Sequence, residues 1–100
     1  MASAALDELI NTSEVMIFST KSCPYCTRVK RFFDEKKIAY KDYAVDRNGP
    51  AGEAIQAEIE RRHSHDTVPV VFIKGQFIGG CDDTLALDKA GRLGPMLVSK

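Results

Sequence analysis

Between an apolar run, VMIFST at residues 15–20, and a helix-patterned segment stands the tetrad Cys23-Pro24-Tyr25-Cys26. The apolar run reads as a buried strand; from Pro24 onward Tyr25, Val29, Phe32 and Phe33 recur at helical spacing, with Arg28, Lys30, Arg31 and Lys37 on the remaining faces. IAYKDYAVD (38–46) then alternates like a strand. Strand, helix and strand in that order form a βαβ crossover, which restricts the chain to a sheet containing a parallel pair.

The rest of the chain supplies the elements around that unit. Ser3 is placed to cap a first helix carrying Leu6, Leu9 and Ile10. DRNGPAG (46–52) reads as the longest loop, and residues 51–62 as a helix with Ala54, Ile55 and Ile59 inward. VPVVFI (68–73), Lys74-Gly75 and QFIG (76–79) make a hairpin. A last helix begins near Asp82 with Leu85, Ala86, Ala90 and Leu93 inward, interrupted at Gly91 and at Gly94-Pro95. The whole is an α/β chain with a mixed sheet.

Composition narrows the function classes. At 100 residues and 44% apolar content the chain can bury one modest core, so residues 1–100 are expected to form a single domain. Lys+Arg and Asp+Glu both number 14, which leaves no overall field to draw the chain to nucleic acid or anionic lipid. No apolar run approaches a membrane span, and the start MASAALDELIN has neither a basic leader nor an Arg-rich transit pattern. A cytoplasmic location is expected, with no membrane and no nucleic-acid partner. Three cysteines, an odd number, argue against a disulfide framework.

The thiols themselves carry the chemistry. Proline lacks the N–H that a first helical turn leaves unpaired and has a helix-ready φ, so Pro24 fits the first helical position and Cys23 the N-cap. There its sulfur meets the free N–H groups and the positive end of the helix dipole, both of which favour thiolate. Residues 21–37 add six basic side chains against two acidic ones, so Cys23 is expected to be an acidic, nucleophilic thiol. Cys26, three residues before Val29 and seven before Phe33, falls on the stripe facing the sheet and is expected to be partly buried and less acidic. An outer attacking sulfur with a second sulfur one turn inward suits thiol–disulfide exchange. Two other readings remain open on the residues alone. Cys23 and Cys26 have zinc-ligand spacing that Cys81 with His63 or His65 would complete, and both cysteines would also serve as inert core residues. His63 and His65 otherwise read as solvated loop residues.

CPYC after a strand, TVP at 67–69 and GGCDD at 79–83, in this order and spacing, resemble the glutaredoxins of the thioredoxin-like superfamily, over residues 15–90 or so. The absence of Trp and of a WCGPC motif speaks against thioredoxin proper. The resemblance implies a thioredoxin-like fold, a four-stranded mixed sheet flanked by helices, and a glutathione-dependent thiol–disulfide oxidoreductase. Cys23 and Cys26 are then catalytic. Pro69 is expected to be cis and to face Cys23 beside Thr67, while the Val68 backbone pairs with the cysteinyl part of glutathione. After Gly80 and Cys81, the Asp82 backbone is expected to take the glutamyl carboxylate and the Asp83 side chain its α-ammonium. Lys21 and Gln56 match positions for the glycine carboxylate, and Tyr25 borders the sulfur groove.

The same resemblance implies glutathione as co-substrate, no tightly bound cofactor, no metal, and a monomer acting on glutathionylated and disulfide-containing proteins. It also leaves an alternative, a glutathione-ligated iron–sulfur module bridging two chains through Cys23, against which Pro24 stands as an unusually stiff neighbour. Asp66 departs from the pattern: many family members carry a basic or neutral residue there. A carboxylate at that place favours a polyamine-conjugated thiol as the alternative substrate.

Overall fold

The computed structural model describes residues 2–98. Elements follow as α1 (Ala2–Ile10), β1 (Val15–Ser19), α2 (Pro24–Glu35), β2 (Lys41–Ala44), a 3-10 turn (Val45–Arg47), α3 (Gly49–His63), β3 (Val70–Ile73), β4 (Gln76–Gly79), α4 (Cys81–Lys89) and α5 (Leu93–Val98). The four strands form one sheet in the order β2-β1-β3-β4, with β1 parallel to β2 and the other pairs antiparallel. The crossover and the mixed sheet are thus as the sequence implies. None of the described helices is long and apolar enough to cross a membrane.

Alternation divides the core. Met16 and Phe18 of β1 and Val70 and Phe72 of β3 face α1 and α3, where Leu6, Ile10, Ile55 and Ile59 cover them. Val15, Ile17, Val71 and Ile73 point the other way, onto Val29 and Phe33 of α2, Cys81 of α4 and Leu93 of α5. Because both faces of these two central strands are covered, they read as unbroken apolar runs instead of alternating ones. The Lys74-Gly75 corner has positive φ at both residues, 51° and 81°, the twist a two-residue hairpin turn requires.

Several expectations fail for identifiable reasons. Ser3 does not cap α1; it lies inside the helix, where its hydroxyl and carbonyl accept from Arg62 Nη2 at 2.6 and 2.9 Å. The DRNGPAG stretch is not a loop, since its glycine and proline stand in the first turn of α3, where a missing N–H costs nothing. The strand expected over 38–46 shrinks to Lys41–Ala44, because β2 is an edge strand paired only to β1. In α3 Ala54 is exposed; the buried positions are Gly52, Ile55, Glu58 and Ile59. Tyr25 is 56% exposed and does not belong to the buried stripe of α2, which is Cys26, Val29 and Phe33. In α4 Ala86 and Ala90 are exposed while Thr84 is buried, its hydroxyl donating to the Gly80 carbonyl at 2.8 Å. Gly91, at φ 75°, does end α4, but Gly94-Pro95 sit inside α5 instead of breaking it.

Candidate active site

Cys23 is the N-cap of α2, in extended backbone, and its Sγ accepts the Cys26 N–H at 3.1 Å. The crossover brings that sulfur to the loop before β3, where its S–H donates to the Val68 carbonyl at 3.7 Å. The Val68–Pro69 peptide is cis. Cys23 is partly exposed and Cys26 is buried, the asymmetry expected from their helix positions, and both are free thiols. Burial pushes the Cys26 thiol up to about 12, with the hydrogen bond to Cys23 adding to it. Burial raises the Cys81 thiol as well.

A groove of about 220 Å³ opens beside Cys23, lined by Tyr25, His65, Thr67, Val68, Pro69, Gly80, Cys81, Asp82 and Asp83. Its far wall is the β4–α4 junction. Opposite Val71 and Phe72, β4 presents Gly79 and Phe77, so Ile78 is an extra residue, and the bulge bends the chain into α4. Gly79 takes φ 126°, open to glycine, and its Cα lies so near Asp83 that an added Cβ would stand 2.8 Å from Cγ. Asp83 Oδ2 accepts the Gly80 N–H at 3.1 Å, closing the turn. The first turn of α4 leaves N–H groups of Cys81 and Asp82 without intrahelical partners, and so offers an anion site beside a fixed carboxylate.

Eight of the residues singled out in the sequence therefore line one groove: Tyr25, Thr67, Val68, Pro69, Gly80, Cys81, Asp82 and Asp83. Lys21 and Gln56 are not in its wall; the Lys21 backbone N–H instead donates to Asp46 Oδ2 at 3.0 Å. Two participants escaped the sequence reading. Gly79 sets the position of Asp83, and the double glycine was the available signal. His65 lines the groove, its Nε2 3.4 Å from Thr67 Oγ1 and its ring edge-on to Phe77. His63, unlike His65, is no loop residue: it ends α3 and stacks on Phe77 with ring centroids 4.2 Å apart. No three His, Cys, Asp or Glu side chains among the described residues converge as metal ligands, so the zinc constellation of Cys23, Cys26, Cys81 and a histidine does not assemble.

Comparison with known proteins points to one family. The glutaredoxin family model matches residues 15–78. Glutaredoxin-C4, chloroplastic, of Oryza sativa subsp. japonica is 42% identical over 97% of this chain and 72% of its own length. Glutaredoxin 3 of Escherichia coli (strain K12) is 39% identical over 85% of this chain and 98% of its own. Among solved structures, a buckwheat glutaredoxin–glutathione complex superposes with a TM-score of 0.91 at 39% identity, covering 97% of this chain and 87% of that one.

Proposed function

The chain belongs to the glutaredoxins, which are glutathione-dependent thiol–disulfide oxidoreductases, and from that premise we propose that Cys23 is its nucleophile, glutathione its co-substrate and Cys26 its resolving thiol. The observation that carries this reading is the Cys23 sulfur at the start of α2, held by the Cys26 N–H and facing the Val68 carbonyl at the mouth of the groove. With a glutathione mixed disulfide, the Cys23 thiolate attacks the glutathione sulfur; that bond forms as the target sulfur leaves and takes up a proton. A second glutathione thiolate then attacks the same sulfur, releasing glutathione disulfide and Cys23. For a protein disulfide, Cys23 attacks first and Cys26 closes the Cys23–Cys26 disulfide, freeing the reduced protein.

The groove offers complementary groups for the cysteinyl and γ-glutamyl parts of glutathione. The Val68 backbone, whose carbonyl faces Cys23 across the groove, supports a one-residue strand addition by the cysteinyl part. The start of α4 provides N–H groups for the γ-glutamyl carboxylate and Asp83 a counter-charge for its ammonium. Lys21 and Gln56, outside the wall, are reserved for the glycine end. The test is steady-state turnover of a glutathionylated peptide, with glutathione and with a polyamine-conjugated thiol side by side, by the wild type and by Cys23→Ser. Turnover by wild type with glutathione and none by Cys23→Ser supports the reading. Preference for the polyamine thiol would move the assignment to the Asp66 alternative, and thiolate–iron absorbance in anaerobically purified protein to the cluster-bridging one.

A further inference from the structure

Lys30 stands four residues after Cys26 on α2, so the two side chains share a face of the helix one turn apart. Its ammonium is tethered, with Nζ 2.7 Å from Asp42 Oδ2 on β2 and only 27% of the side chain exposed. Asp42 is held in turn by the buried Ser19 at the end of β1, whose hydroxyl donates to Oδ1 at 2.5 Å. Ser19, Asp42 and Lys30 thus form a chain of contacts from β1 through β2 to α2, ending one helical turn from Cys26. The groove makes no use of Lys30, which is not in its wall.

We propose that Lys30, aimed by Asp42 and Ser19, is a positioning residue for the resolving thiol: it holds a positive charge beside Cys26 and promotes the thiolate that closes the Cys23–Cys26 disulfide. This rests on Cys26 being the resolving thiol. Burial, and the hydrogen bond and charge of Cys23 at the cap of the same helix, oppose ionisation of Cys26; the Thr20 backbone and the Lys30 ammonium favour it. Once Cys23 is tied into a mixed disulfide its own opposition is removed, and Lys30 is the side-chain charge that remains to favour the anion. The Cys26 S–H gives its proton to water, and the thiolate attacks Cys23 Sγ. The Cys23–Cys26 bond forms as the bond from Cys23 to the target sulfur breaks, and that sulfur leaves with the electron pair and is protonated. Two cysteines are oxidised and one disulfide is reduced.

Stopped-flow reaction of the reduced protein with an aryl disulfide separates the steps, because one aryl thiolate is released on attack by Cys23 and a second on closure by Cys26. Wild type should show two phases and Cys26→Ser the first alone. A wild type with one phase would overturn the resolving role of Cys26 itself, a failure distinct from that of Lys30. Loss of one half-exposed ion pair leaves Lys30→Met folded. Its second phase should slow by roughly three- to fourfold for each tenfold loss of thiolate, since nucleophilicity rises as acidity falls. The inflection of that phase should move to higher pH while the first phase stays near wild type, and Lys30→Arg should restore both rate and profile. A second phase unchanged in Lys30→Met, both phases slowed in step, or no rescue by arginine would overturn the proposal.

Discussion

Replacing Gly79 by alanine tests the wall of the groove without touching a reacting atom. The new Cβ would lie 2.8 Å from Asp83 Cγ and 2.9 Å from its Cβ, closer than real contacts allow, at φ 126° where an L side chain is strained. The strain is worth about 1–3 kcal/mol. Displacing Asp83 also breaks its hydrogen bond to the Gly80 N–H, a cap worth about 1 kcal/mol. Urea unfolding should therefore show a loss of about 2–4 kcal/mol, from strain and cap together. If Asp83 holds the glutamyl ammonium by a charge-assisted hydrogen bond, worth about 1.5–3 kcal/mol, kcat/KM for a glutathionylated peptide falls roughly ten- to a hundredfold. Alkylation of Cys23 by iodoacetamide, which needs no glutathione site, should be unaffected. Since both changes act through one carboxylate, Gly79→Ala added to Asp83→Ala should lower kcat/KM little further. A folded Gly79→Ala protein with wild-type kcat/KM would refute the role given to Asp83.

Mass-resolved iodoacetamide labelling at neutral pH should modify Cys23 well before Cys26 and Cys81, because burial raises both of the latter thiols, Cys26 to about 12; equal rates at Cys23 and Cys26 would reverse their roles. Cys26→Ser should keep deglutathionylation at or above the wild-type rate, since the competing internal disulfide is gone, yet stall at the mixed disulfide with a protein disulfide substrate. Loss of both activities in folded Cys26→Ser would make this an obligate dithiol reductase. The hydrogen bonds from Arg61 and then Arg62 hold the Glu58 carboxyl down at about 2, below its ordinary 4.5. A depressed carboxyl stabilises the fold above the ordinary value and loses that contribution as pH falls toward the folded one. The melting-temperature gap between wild type and Glu58→Gln should thus be widest above about pH 4.5 and close near pH 2; a gap independent of pH would assign the effect to packing alone.

The sequence by itself determined several features that depend on neighbours along the chain. The unbroken apolar runs marked the two central strands, Lys74-Gly75 marked the hairpin, and Pro24 made Cys23 a helix cap, which orders the two thiols before any tertiary contact is known. Local signals misled where packing overruled them: Pro50 and Gly49 read as loop but begin α3, and Ser3 read as a cap but serves Arg62 from within α1. Only the tertiary structure decided what meets across the sheet. The bulge at Ile78 that turns Asp83 under Gly79, the arrival of His65 in the groove, and the tie from Ser19 through Asp42 to Lys30 join segments brought together by strand register. The physical reason is range. Capping, turn chemistry and periodicity act within about one helical turn, whereas these contacts form only when the strands have paired, β1 with β2 and β3 and β3 with β4, and no short stretch of sequence encodes that pairing alone.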